Sequence, residues 1–90
     1  MDKKPTYGEI YIVENSVPGN FSDSTETMDV SKGFQPIPIT SEMRFLRSIG
    51  NISVFYIVGF PKGRRHLLHR TCWIEEEYFK NLRLAFCSTK

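Results

Sequence analysis

The run from Asn51 to Phe60, Asn-Ile-Ser-Val-Phe-Tyr-Ile-Val-Gly-Phe, constrains the fold more than any other stretch. After Ser53 almost every residue is β-branched or aromatic, and such side chains fit a pleated surface and lose rotamer freedom in a helix. Gly50-Asn51 precedes the run and Pro61-Lys62-Gly63 follows it. Both are turn chemistry: glycine reaches positive φ, and proline presets one turn angle while lacking an N–H. Strand alternation puts Ile52, Val54, Tyr56 and Val58 on one side and Phe55 and Ile57 on the other. Both sides are apolar, so the run reads as a central strand with cover on both faces, or with aromatics exposed on one.

Ninety residues allow one domain with one modest core. Charge is unevenly spread. Residues 1–40 hold three Lys against six Asp and Glu, whereas residues 41–90 hold nine Lys and Arg against four Glu, which predicts a polarised surface. No apolar stretch follows the Asp2-Lys3-Lys4 start and none approaches the length of a membrane span. An intracellular (cytoplasmic) protein with Cys72 and Cys87 as free thiols is therefore expected.

Residues 1–6 read as a loose N-terminal tail, 7–86 as the domain and 87–90 as a C-terminal tail. Strands are expected at 7–13, 34–39, 43–49, 52–60 and 64–72, with a last one at 82–86. Gly50-Asn51 closes a two-residue hairpin between the third and fourth of these. A short helix from a Ser41 cap is the rival reading for residues 43–49. Glu14–Thr27 is the longest polar stretch, with Val17 and Phe21 its only large apolar residues, and reads as a long loop or open hairpin. Two prolines within residues 34–39 confine that segment to an edge. By period alone residues 73–86 form an amphipathic helix: Ile74, Tyr78, Leu82 and Phe86 recur every fourth residue, with Glu75-Glu76-Glu77 at its start.

Three pieces resemble the SH3 family in order and pattern. Met28-Asp29-Val30-Ser31-Lys32-Gly33-Phe34 resembles the diverging turn Leu-Ser-Phe-x-Lys-Gly-Asp, placed after a long acidic loop. Phe55-Tyr56-Ile57-Val58 stands where the family has Trp-Trp-x-Ala, with Pro61-Lys62-Gly63 as the distal hairpin. Ile74-Glu75-Glu76-Glu77-Tyr78-Phe79 has the spacing of Ile-Pro-Ser-Asn-Tyr-Val, the single 3₁₀ turn before the last strand, here Leu82–Phe86. The first strand lacks Ala-Leu-Tyr-Asp-Tyr, neither signature tryptophan is present, and Glu75 replaces the groove proline. The resemblance is thus one of fold. It implies a mainly β protein: an SH3-like small antiparallel barrel with a long polar loop after the first strand and a short helical turn near the C-terminus. The alternative is α+β, a curved antiparallel sheet crossed by a helix at 73–86.

On the barrel reading, Phe55 and Tyr78 line a shallow groove, Asp23, Glu26 and Asp29 form its acidic rim, and Tyr11 and Trp73 lie near it. That arrangement suits docking on another protein, as an adaptor or an inhibitory protein, a viral one included. Core burial is the competing account of the aromatics. The second function is nucleic-acid binding by the basic hairpin 62–70, through Lys62, Arg64, Arg65 and Arg70. Strand alternation divides those charges between two faces, and a net charge of +2 is small for such a surface. His66, His69, Cys72 and Cys87 are the candidates for a metal or a nucleophile and base, and His66 and Cys72 lie about 20 Å apart on an extended strand. No catalysis, metal, cofactor, small-molecule substrate or membrane is expected.

Overall fold

The computed structural model describes residues 5–59, 63 and 65–86. Seven strands form one antiparallel sheet: β1 (Ile10–Val13), β2 (Pro18–Ser22), β3 (Gln35–Pro36), β4 (Glu42–Ile49), β5 (Ile52–Gly59), β6 (Thr71–Glu75) and β7 (Leu82–Phe86), in the order β3-β2-β6-β5-β4-β1-β7. Three 3₁₀ turns, Val30–Lys32, Arg65–Leu67 and Glu76–Asn81, are the only helical elements among the described residues. The sheet curls into a half-barrel. β1 and β2 stand far apart in the strand order, yet Tyr11 and Val13 of one and Phe21 of the other enter the same core as Phe45, Phe55, Ile57 and Cys72.

The central hairpin is as the sequence predicts. β4 and β5 pair over their whole length, ending at Ile49↔Ile52, and Gly50 takes φ +59° in the turn. Asn51 has no positive φ, and glycine at the first of two central positions is the type II′ pattern. The Ser41-capped helix is absent. Two register shifts alter the alternation: Val58 is extra on β5 and Leu46 is extra on β4. The Leu46 bulge turns Arg47 to the same face as its partner Val54, away from the core that Phe45 enters. Phe55, fully buried, meets Tyr11 and Phe45 edge to face at 6.0 and 5.4 Å.

Four expectations are corrected and one rival reading is set aside. The polar stretch 14–27 is not all loop, since β2 lies within it and pairs with β6 through Asn20↔Trp73, Phe21↔Cys72 and Ser22↔Thr71. Val17, Gly19 and Phe21 share the inward face. Gly19 hides this period because it shows no side chain, and it is glycine for a steric reason: a Cβ there would lie 2.5 Å from Cys72 Sγ and 2.8 Å from Ile37 Cδ1. The strand expected at 34–39 shrinks to Gln35–Pro36, where the prolines stop further pairing. The strand expected at 64–72 begins only at Thr71, because Arg65–Leu67 form a 3₁₀ turn and His69 has φ +69°. The rival helix over 73–86 is absent: a strand, a 3₁₀ turn and a last strand stand there, as the barrel reading expects, and the fourfold spacing of Ile74, Tyr78, Leu82 and Phe86 is coincidental. The first strand pairs over Ile10–Val13 and not from residue 7. Residues 1–4, 60–62, 64 and 87–90 lie outside the described residues, and with them most of the Pro61-Lys62-Gly63 turn and both ends of the chain.

Gly19→Ala should destabilise the fold by about 1–3 kcal/mol through overpacking, seen as a melting temperature lower by about 4–8 °C per kcal/mol. Gly59→Ala should cost far less, because its new Cβ meets nothing nearer than the flexible end of Glu42 at 3.4 Å.

Candidate functional site

The aromatics expected in a groove divide between the two faces of the sheet. Phe55 and Tyr11 are core residues and offer a partner no surface: Tyr11 is 4% exposed, and its hydroxyl donates to Glu9 Oε1 at 2.7 Å. Trp73 is also buried, but on the outer face, beside Val54, where its Nε1 donates to Ser22 Oγ at 2.9 Å. Tyr78 is half-buried against the core. Sequence alone registers aromatic content and not which ring the curl of the sheet seals.

The acidic rim residues serve the fold. Asp23 Oδ1 pairs with Arg70 at 2.6 Å. Asp29 caps the 3₁₀ turn Val30–Lys32 by accepting from Ser31 N at 3.2 Å and Ser31 Oγ at 2.6 Å. Glu26 is exposed, its own N–H donating to Ser24 Oγ. The structure therefore gathers Asp23, Glu26 and Asp29 in one segment over Trp73, and leaves Tyr11 and Phe55 across the sheet. Of the basic hairpin, Arg65 is exposed and Arg70 is occupied by Asp23, while Lys62 and Arg64 lie outside the described residues.

A cleft of about 890 Å³ lies elsewhere, between the β4–β5 turn and the segment Glu75–Leu82, with Pro5 at its side. Its apolar lining comes from Ile52, Phe79 and Leu82, and its acidic lining from Glu75, Glu76 and Glu77, with Lys80 beside them. Local pairing builds it. Ile52 stands opposite Glu75 in the β5–β6 ladder, and Glu76 N donates to Asn51 O at 2.8 Å, which ties the 3₁₀ turn to the hairpin. Side chains three apart eclipse in a 3₁₀ turn, so Phe79 follows Glu76 and Lys80 follows Glu77. Phe79 leans on Tyr11 at 5.1 Å and also lines the cleft. Among the described residues, no ion pair neutralises any of the three glutamates. The signal for this site was the acidic triplet abutting Tyr78-Phe79, which periodicity assigned to a helix start.

Against known proteins, the chain matches no family model, no curated protein and no solved structure. Among the described residues, no helix is long and apolar enough to cross a membrane, and no three His, Cys, Asp or Glu side chains gather as metal ligands. Cys72 is sealed in the core, where burial raises its thiol pKa far above the ordinary range.

A thiol reagent at pH 8 should leave Cys72 unmodified in folded Cys87→Ser protein and label it fully in denaturant. The raised pKa also sets a sign for stability. The unfolded thiol ionises first, so its contribution is intact below about pH 8.5 and declines as pH rises above that value, which denaturant titrations at pH 7 to 10 would measure.

Proposed function

We propose that the chain is a non-catalytic protein-binding module, an SH3-like small barrel that takes a basic, extended segment of a partner protein into the cleft beside Glu75–Leu82. The observation that carries this reading is the set of three adjacent glutamates, unneutralised among the described residues, along an apolar lining of Ile52, Phe79 and Leu82. Apolar contact supplies affinity, and a charged border supplies steering and register. The SH3-like assignment is supported by element order: a long polar segment after the first strand, the β4-β5-β6 meander, then one 3₁₀ turn before the last strand. Burial of Cys72 removes the nearest candidate nucleophile from solvent and favours binding over catalysis. An intracellular adaptor or an inhibitory protein fits this chemistry.

Fluorescence polarisation against a library of nine-residue peptides would test the proposal. Peptides with Lys or Arg flanking one apolar residue should bind at low salt, weaken as salt rises, and exceed acidic peptides of equal hydropathy. Joint replacement of Glu75, Glu76 and Glu77 by Lys should weaken binding at least about tenfold, or 1.4 kcal/mol, with the circular dichroism spectrum unchanged. Failure of every basic peptide to bind, or equal binding by the triple variant, would overturn the proposal.

A further inference from the structure

The outer face of the sheet holds a second buried apolar pair, separate from the core. Val54 and Trp73 are register partners, 0% and 4% exposed, and neither belongs to the cluster around Phe55. The segment from Asp23 to Gly33 lies over this face. It is fastened at five points: Ser22 Oγ to the Ser24 carbonyl at 2.8 Å, Asp23 to Arg70 at 2.6 Å, the Thr25 carbonyl to the Arg47 guanidinium, and both Asp29 and Gly33 to Asn20. Asn20 Nδ2 donates to the Asp29 and Gly33 carbonyls, each at 2.7 Å, and its Oδ1 accepts from Asp29 N at 3.1 Å. The Arg47 guanidinium also stands 5.9 Å above the Trp73 ring.

Every one of these fasteners is polar. No side chain from Asp23 to Gly33 is buried, and Val30, the most apolar of them, is 77% exposed. The segment thus crosses the face of Trp73 with no fully buried side chain of its own, half-buried Met28 being its deepest apolar residue. Water can replace each fastener, so the segment belongs to the low-stability end of the molecule, whereas β5 is held by buried Val54, Phe55 and Ile57. At one end Gly33, φ +66° with open space around its Cα, supplies a pivot; at the other the paired strand β2 ends at Ser22.

We infer that residues 23–33 are a strap that opens as a unit while the half-barrel stays folded, and that its opening controls solvent access to Trp73 and Val54. The bond from Trp73 Nε1 to Ser22 belongs to β2 and stays in place when the strap lifts. The inference uses neither the cleft nor its glutamates, so it stands or falls independently of the proposed function.

Native-state amide exchange on the full chain reads the opening directly. The N–H groups of Asp29, Ser31 and Lys32, all hydrogen-bonded within or beneath the strap, should exchange at least about 100-fold faster than those of β5, with no dependence on low denaturant. Trp73 is the chain's single tryptophan and reports the same event. Acrylamide quenching of its fluorescence should rise about threefold or more in Arg47→Met and in Asn20→Ala, with strand circular dichroism retained. Should Asn20→Ala fail to fold, Arg47→Met and exchange in the unaltered protein decide. Strap amides that exchange with the rate and denaturant dependence of β5, or quenching unchanged in folded Arg47→Met, would overturn the inference.

Discussion

A buried side-chain amide, that of Asn20, is the contact on which the ordering of this chain turns. Removing an amide from water costs free energy unless its hydrogen bonds are replaced. Asn20 is 0% exposed and replaces them with three bonds to the backbone of residues nine and thirteen positions later. It is fixed in turn by β2, whose pairing with β6 sets Asn20 opposite Trp73. One residue therefore joins the sheet to the polar segment that a domain of this size would otherwise leave in solvent. The Leu46 bulge is its counterpart on β4, since it brings Arg47 to the same face.

What the sequence disclosed follows from this division between apolar and polar organisation. The β4–β5 hairpin was legible because Val54, Phe55, Tyr56, Ile57 and Val58 carry their own propensity and Gly50 its own turn geometry. β2 was illegible because one of its two inward positions is Gly19 and its outward positions are Pro18, Asn20 and Ser22, residues that read as loop. The break in the expected strand at 64–72 depends on the positive φ of His69, which no propensity encodes. At the site, the acidic and aromatic character was visible and its distribution was not. Asp23 and Asp29 are occupied by Arg70, Ser31 and Lys32, and the longest run of exposed acids, Glu75–Glu77, lies in the half of the chain that is basic overall.

The charge asymmetry between the two halves acquires a physical meaning in the fold. Acids of the first half meet bases of the second where the chain closes on itself: Asp23 with Arg70, and Glu14 on the β1–β2 connection with Arg83 on β7. Such exposed pairs add little stability each, but they consume the charges that composition alone would assign to a partner. Among the described residues the cleft glutamates and Arg65, at opposite ends of β6, are exposed and outside any ion pair, as are Glu26, Arg44 and Lys80. The molecule thus presents an acidic, apolar-lined cleft at the end of β5 and β6 where Ile52 meets Glu75, and a polar strap farther along, by Val54 and Trp73.

Nuclear Overhauser spectroscopy on isotope-labelled protein tests the central contact most directly. The account predicts that the two Asn20 side-chain amide protons have resolved, shifted resonances with cross-peaks to backbone protons at Asp29 and at Gly33. Cross-peaks confined to Asn20 and its chain neighbours, with the shifts of a solvated amide, would contradict it.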